Sequence, residues 1–414
     1  MEIKRNFYLQ QLIDSQDNGL VKIITGIRRC GKSYLLNDIF VNYLKKKKVK
    51  DSHIVKIDFD SPVNKKYYEP AVLYNYLKSL IKDKNKYYFL LDEIQLVKEF
   101  ESVLNGLLRI RNTDIYVTGS NSKFLSSDVI TEFRGRGDEI RIYPLSFSEM
   151  SSVYKDINLA WEDYYTYGGL PSVVLEKKQE KKINYLKYQA NNVYLNDVIE
   201  RNNLKHQEVL TTLTKIISSN IGSLTNPKKL ANTFKSKNIL ASDKTIALYL
   251  GYLENAFLIE KSKRYDIKGK KYINTPLKYY FTDIGIRNCL LNFSQQEETH
   301  LMENIIYNEL LIRGFNVDIG VVEYNTKKDN KNIKKQLEID FVCIKGNNKY
   351  YIQSAFAIPD EEKMKQETTP LLKVNDAFKK IVIVKNSIKM WKNEYGVLIM
   401  DIQDFLLNPN SLDL

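Results

Sequence analysis

Cysteine is scarce in this chain, and long apolar runs are missing. Cys30, Cys289 and Cys343 are odd in number and far apart, which leaves neither a disulfide framework nor a zinc site to organise the fold. A reducing cytoplasm is the compartment this implies. No run of about eighteen apolar residues occurs, so no membrane span is expected. The start, Met1-Glu2-Ile3-Lys4-Arg5, lacks the apolar stretch of a secretion signal. What the chain does have is length and positive charge. Its 414 residues suffice for about two to four domains, each with its own core. The net charge of +13 would suit a nucleic-acid partner. However, Lys, Asn, Ile and Tyr are abundant throughout, and runs such as Lys45 to Lys48 and Lys327 to Lys335 read first as solvated faces.

The most informative stretch is Gly26-Ile27-Arg28-Arg29-Cys30-Gly31-Lys32-Ser33-Tyr34. Gly-x-x-x-x-Gly-Lys-Ser follows the apolar run Val21 to Ile24 and precedes a helical pattern from Tyr34 to Tyr43, the strand–loop–helix setting of a phosphate-binding loop. Gly26 and Gly31 let the backbone bend so that successive N–H groups face a phosphate chain. The positive end of the following helix adds to the attraction. Lys32 is placed for the β- and γ-phosphates, and the Ser33 hydroxyl for Mg²⁺. Cys30, beside Arg29 and Lys32, has surroundings that favour a thiolate. Alkylation there is expected to block nucleotide binding, and bound Mg-ATP to protect the thiol.

Around this loop, strands and helices alternate. Strands are expected at His53 to Asp60, Tyr87 to Leu91, Asp114 to Val117 and Glu139 to Tyr143, with helices at Phe7 to Leu12, Pro70 to Lys82 and Val97 to Leu108. Near-continuous apolar strands separated by helices predict a parallel sheet covered on both faces. The strand Tyr87 to Leu91 ends in Asp92-Glu93. Asp92 is placed to hold Mg²⁺, and Glu93 to polarise the attacking water as general base. Asn121, after the Thr118-Gly119 strand end, offers a polar group to sense the γ-phosphate or orient that water.

Together, Gly-Ile-Arg-Arg-x-Gly-Lys-Ser, Leu-Leu-Asp-Glu-Ile-Gln, Thr-Gly-Ser-Asn-Ser and Tyr-Pro-Leu-Ser-Phe-Ser-Glu resemble a group of bacterial and archaeal AAA-superfamily ATPases whose C-terminal half is a domain of unknown function. The resemblance continues through Tyr164 to Pro171, Asp243 to Phe257, Tyr279 to Gly285 and Glu303 to Gly314, so it spans nearly the whole chain. It implies that the strand ending at Ser120 lies between those carrying the phosphate loop and Asp92. It also implies a candidate arginine finger at Arg136, with Arg134 as the alternative, in cis or in trans.

After Pro144 the strand pattern stops. Residues 146–205 read as helical, interrupted by Gly168-Gly169-Leu170-Pro171, and in this superfamily such a piece forms a lid over the nucleotide. Tyr164, Tyr165 and Tyr167 read as packing residues. Helices at Val209 to Asn220 and Pro227 to Ser236 come next. A helix capped at Ser242 follows, then two strands, Leu258 to Tyr265 and Lys271 to Ile273. This is the order of a winged helix-turn-helix, which would place the Lys244 helix in a DNA major groove and Lys261, Lys263, Arg264, Lys268, Lys270 and Lys271 near the wing. Leu248, Leu250 and Leu253 give that helix a share in the core.

The last third carries an amphipathic helix, Leu301 to Arg313, with Glu303 and Glu309. Alternation along Gln336 to Ile344 sets Glu338 and Asp340 on one face and Leu337, Ile339 and Phe341 on the other. A turn and a second strand follow. This is the skeleton of PD-(D/E)xK nucleases, and the family resemblance implies the same fold. The remnant set is Glu309, Glu338, Asp340 and Gln353. The second strand reads Gln353-Ser354-Ala355 where acid-x-Lys belongs, so no cleavage of DNA is expected unless a migrated lysine such as Lys345 or Lys349 serves.

The fold class expected is α/β: a P-loop core (1–145), a helical lid (146–205), a winged helix (206–278) and a restriction-endonuclease-like domain (279–414). The function expected is Mg²⁺-dependent ATP binding and hydrolysis coupled to a DNA-engaging C-terminal half. The alternatives are a STAND-like switch that binds a protein partner or another copy of the chain, and an ATP-regulated nuclease. No adenine-specific motif separates ATP from GTP.

Overall fold

The alternating runs of the first 144 residues build one parallel sheet, seen in a computed structural model of the chain. The structure describes residues 3–119, 135–328, 331–386 and 389–414, with the backbone alone at 326–328 and 331–333. It divides into two compact units, residues 1–144 with 255–257, and residues 145–254 with 258–414.

In the first unit, α1 (Asn6–Asp14) precedes β1 (Val21–Thr25), and α2 begins at Lys32, widens to π geometry over Leu35–Phe40 and ends with Val41–Lys46. Then follow β2 (Ile54–Asp58), α3 (Pro70–Ser79), β3 (Tyr87–Asp92), α4 (Phe100–Leu108), β4 (Thr113–Gly119) and β5 (Gly137–Arg141). The sheet order is β2-β3-β4-β1-β5, with every pairing parallel. The expected insertion of β4 between the strands of the phosphate loop and Asp92 is therefore observed. One face is sealed by Val21, Phe89, Leu91, Ile115 and Val117 against Leu73, Leu77, Leu104 and Leu107 of α3 and α4. A charge inside the central run is neutralised where it lies: Lys22 is buried and ion-paired with Asp114, which also accepts the Tyr116 hydroxyl at 3.0 Å.

In the second unit, α5 (Phe147–Ser151) starts from a capping box in which Ser146 accepts the Glu149 N–H and Glu149 accepts the Ser146 N–H. Next come α6 (Ile157–Tyr167) and α7 (Gln179–Tyr188), the latter running on through a π segment, Gln189–Leu195, into Asn196–Arg201. Trp161 and Tyr164 pack around Phe147, Tyr165 packs against Trp161, and Tyr167 is buried, so Tyr164, Tyr165 and Tyr167 pack as expected. Helices α8 (Gln207–Ser219), α9 (Pro227–Ser236) and α10 (Asp243–Asn255) lead into β6 (Ile259–Asp266) and β7 (Lys271–Phe281). Then follow α11 (Ile284–Leu290), α12 (Glu298–Ile312), β8 (Asn316–Lys328), β9 (Lys331–Lys345), β10 (Asn348–Ala355), α13 (Glu361–Leu372), β11 (Lys379–Val384), β12 (Trp391–Lys392), β13 (Leu398–Asp401) and α14 (Ile402–Leu407).

All eight strands share one sheet, ordered β12-β13-β11-β10-β9-β8-β6-β7. The boundary expected between 278 and 279 thus falls inside β7, and β6 pairs on its other side with β8 at Arg264–Asp266. The segment expected as a separate lid belongs to this second unit. Its turn interlocks with Thr282-Asp283-Ile284-Gly285: Asp283 accepts the N–H groups of Gly169 (2.8 Å) and Ile286 (3.0 Å), and the Asn288 amide donates to the Tyr165 and Thr166 carbonyls. A Cβ on Gly285 would lie 1.9 Å from the Tyr167 carbonyl oxygen. Gly285→Ala should therefore destabilise the second unit by at least about 1–3 kcal/mol, since backbone must move to admit the methyl, a loss readable as a lowered denaturation midpoint.

Candidate functional site

The phosphate loop leaves β1 at Thr25 and enters α2 at Lys32. Gly26 (φ 143°), Arg29 (φ 65°) and Gly31 (φ 102°) take the left-handed turns the loop needs. Gly26 is also required sterically, because a Cβ there would fall 2.1 Å from the Ile142 carbonyl oxygen. Ile27 and Cys30 are buried, Arg28 is half-buried, and Arg29, Ser33 and Tyr34 are exposed. Lys32 is buried within the loop, its ammonium donating to the carbonyls of Gly26 (2.9 Å) and Ile27 (3.1 Å). The thiol of Cys30 donates to the Ile142 carbonyl at 3.6 Å. That burial removes the access on which the expected alkylation depended.

β3 carries Asp92 to the same end of the sheet. The carboxylate is buried and accepts from the hydroxyls of Thr118 and Ser33 and, at 3.4 Å, from the Asn37 amide. Burial raises its pKa, and the Thr118 and Ser33 hydrogen bonds oppose that rise. Ser33 and Asn37 lie four residues apart on α2, so one helical face presents both to Asp92. Glu93 follows in a left-handed conformation (φ 53°), its N–H donating to Thr118 at 2.9 Å and its carboxylate accepting from Gln95. The structure thus brings Ser33 to Asp92 across 59 positions of sequence, with Lys32 and Glu93 as their chain neighbours. Thr118, Asn37 and Gln95 were not singled out from sequence. Thr118 had a signal in its place at the end of a buried strand.

Asn121 and Arg134 lie outside the described residues; β4, which leads towards Asn121, ends with Gly119 beside Thr25. Arg136 is exposed, and its carbonyl accepts the Val21 N–H at 2.8 Å, at the entry end of β1. Four residues of strand separate that point from Thr25, about 13 Å. Arg136 therefore stands across the sheet from its own phosphate loop, and its guanidinium donates to Asn105.

A second cluster forms in the other unit, with a different membership from that expected. The helix acid is Glu303, not Glu309. Glu309 is buried in an ion pair with Arg313 one turn on (2.8 Å), and burial pushes its pKa up to about 7. The helix is α12, which is buried all round rather than amphipathic. The ammonium of Lys278, on β7, lies 2.9 Å from Glu303 and 2.8 Å from Glu338, and the Tyr280 hydroxyl donates to Glu303 at 2.7 Å. Asp340 is buried beside them, accepting the Ser354 N–H at 2.8 Å, while the Gln353 side chain accepts the Asp340 N–H at 3.4 Å. Desolvation and the neighbouring Glu303 raise the pKa of Asp340, and Lys278 opposes the rise.

Strict alternation on β9 also fails. A bulge sets Asp340 and Phe341 opposite the single residue Ile319, and Phe341 packs near Tyr280 and Tyr307 beside the cluster. Lys345 donates to the Arg313 carbonyl, and Lys349 lies over the rings of Tyr265, Tyr351 and Phe378. Neither is the lysine of this cluster. Among the described residues no group of three or more His, Cys, Asp or Glu is arranged to hold a metal ion, and no helix is long and apolar enough to cross a membrane.

Residues 18–151 match the model of an AAA domain, and residues 158–297 that of a domain of unknown function (DUF8612). An uncharacterized protein of Haemophilus influenzae is 36% identical over 413 residues, covering 98% of each chain. The uncharacterized protein MJ1544 of Methanocaldococcus jannaschii is 27% identical, covering 84% of this chain and 77% of its own length. Among solved structures, the Walker-type ATPase PABY2304 of Pyrococcus abyssi aligns with a TM-score of 0.48 at 15% identity, over 70% of this chain and 96% of that one.

Proposed function

The chain belongs to one family with the uncharacterized Haemophilus influenzae protein and carries an AAA domain, and from that premise we propose that it hydrolyses ATP with Mg²⁺ and uses the nucleotide state to control a DNA-engaging second unit. The observation that carries the ATPase reading is the meeting of Lys32, Ser33 and Asp92 at one end of a parallel sheet, with Glu93 alongside. A strand-end carboxylate hydrogen-bonded to the serine of the loop is the donor set a hydrated Mg²⁺ requires. Ser33 would ligate the ion, and Asp92 would hold it through water. Mg²⁺ supplies charge neutralisation on the phosphates. The loop amides and Lys32 bind and orient the phosphate chain, and Glu93 takes the proton of the attacking water. A finger role for Arg136 requires a second copy of the chain, given its place at the far end of β1.

Two features support DNA engagement. Helices α8 to α10 followed by the β6–β7 hairpin have the order of a winged helix. Lys228, Lys229, Lys235, Lys244, Lys268 and Lys270 are exposed on its helices and hairpin turn. The path from α12 through β8, β9 and β10 to α13 and β11 supports a nuclease-like scaffold, and its chemistry argues against cleavage. The Lys278 ammonium already bridges Glu303 and Glu338, and one Asp340 oxygen is held by the Ser354 N–H.

A second reading, a switch for a protein partner, has its own observation. Leu240 (96% exposed) and Leu248 (52%) are exposed on either side of the exposed Lys244 in the chain, while Ile246, Tyr249, Leu250 and Leu253 are the buried residues of α10. ATP turnover with and without double-stranded DNA over a salt series separates the two. Stimulation that fades steeply with salt is the DNA result. Unchanged turnover, with stimulation by a bound protein instead, is the switch. Incubation with supercoiled DNA in Mg²⁺ or Mn²⁺ should leave it intact. Metal-dependent cleavage abolished by Asp340→Ala would establish the nuclease alternative.

A further inference from the structure

Arg5 precedes α1 and belongs to none of the motifs, yet it is 2% exposed and spans the back of the phosphate loop. One guanidinium nitrogen donates to the Cys30 carbonyl at 2.7 Å; the other donates to the carbonyls of Tyr143 (2.8 Å) and Pro144 (3.5 Å). The guanidinium carbon lies 4.5 Å from the centre of the Tyr8 ring, and the Tyr8 hydroxyl accepts the Tyr143 N–H at 3.2 Å. The loop also rests directly on this segment, through the Cys30 thiol on the Ile142 carbonyl and the close approach of Gly26 to the same oxygen.

Two consequences follow from elementary geometry. A peptide unit is planar, so gripping the Cys30 carbonyl sets the direction of the Gly31 N–H on the other edge of the same plane. That amide is one of the donors a phosphate-binding loop turns inward. The carbonyls at the other end of the grip belong to Tyr143 and Pro144, the last two residues before the chain enters the second unit at Leu145. We propose that Arg5 is a positioning residue of the nucleotide site, and that it links the phosphate loop to the segment through which the chain enters its second unit. This rests on the ATP-binding reading above. A shift of the Cys30–Gly31 peptide on nucleotide binding is carried by one rigid, forked cation to Tyr143 and Pro144. Methionine fills the volume without donating, and lysine has a point charge in place of the fork.

The test uses the full chain, with ATP affinity measured at equilibrium and amide exchange followed at residues 143–150, each with and without Mg-ATP. Wild type should show exchange at 143–150 that changes when ATP binds. Arg5→Met should weaken ATP binding about tenfold or more, as expected for losing hydrogen bonds to a charged donor, and at saturating ATP the exchange response should vanish. Arg5→Lys should fall between the two. Tyr8→Phe, which keeps Arg5 but frees the Tyr143 N–H, should reduce the exchange response with little change in affinity, and it serves as the test if Arg5→Met does not fold. Unchanged affinity and an unchanged response in Arg5→Met, or an unchanged response in Tyr8→Phe, would overturn the link. Wild type that binds no ATP would instead overturn the reading beneath it.

Discussion

Glu93→Gln should still bind ATP tightly and lose about 10²–10⁴-fold in turnover, the usual range for removing a general base. The amide preserves the volume of the carboxylate and much of its hydrogen bonding, but it cannot accept the proton of water. The backbone singles this residue out. Glu93 is held at φ 53° with its N–H on Thr118, a left-handed conformation that a non-glycine residue adopts at some cost. Thr118 also donates to Asp92, so one hydroxyl fixes the geometry of both acids. Lys32→Ala is the complementary variant, and it should fail at binding, because the ammonium inside the loop is the charge placed for the phosphates. Equilibrium binding of ATP and phosphate release separate the two phenotypes. Glu93→Gln turning over at the wild-type rate would place the base elsewhere.

Lys278→Met should destabilise the protein by about 3–5 kcal/mol, as expected when one partner of a buried ion pair is removed and the other is left charged. The loss should depend on pH. Burial and Glu303 raise the pKa of Asp340 above that of an unfolded aspartate. The protonated carboxyl therefore favours the folded state. The stability it contributes is complete below the unfolded pKa and is lost as pH rises through the folded one. Without Lys278, the contribution that opposes the rise at Asp340 would be gone. The difference between wild type and Lys278→Met should accordingly be larger at pH 8 than at pH 5. Denaturant midpoints at the two pH values measure it, and equal, small losses at both would mean that Lys278 is not the counter-ion of this cluster.

The N-terminal unit was legible because each of its signals is local. A Gly-rich loop between an apolar strand and a helix, and an acid pair closing a buried strand, carry their meaning in a few consecutive residues. The second cluster was less legible because it is assembled across distance. Glu303 and Glu309 both lie on α12, and a helix buried on all sides offers no polar face to rank one above the other. Arg313, four residues after Glu309, was the available clue, since that spacing makes an ion pair on a helix. Lys278 carries no local signal, because the nuclease pattern places its lysine on the second hairpin strand, whereas β7 lies beyond β8 and β6 in the sheet. The bulge at Asp340 and Phe341 could not be read from an alternating pattern that continues through it. The interlock of the Gly-Gly turn with Asp283 was also hidden. Both motifs stood out in the sequence, but nothing in either names the other.

That interlock bears on how the chain is made. The Gly169 amide waits for a carboxylate 114 residues further on. At roughly 5–20 residues per second, the ribosome delivers Asp283 about 6–23 seconds after Gly169 leaves the peptidyl-transferase centre. Throughout that interval α6 and its glycine turn lack the partner that α11 and its preceding Asp283 provide, while nearly the whole ATPase sheet, encoded in the first 144 residues, is already complete. Nascent chains stalled between the two motifs should therefore expose the Trp161 and Tyr167 surface to chaperones, and chains released just beyond α11 should not.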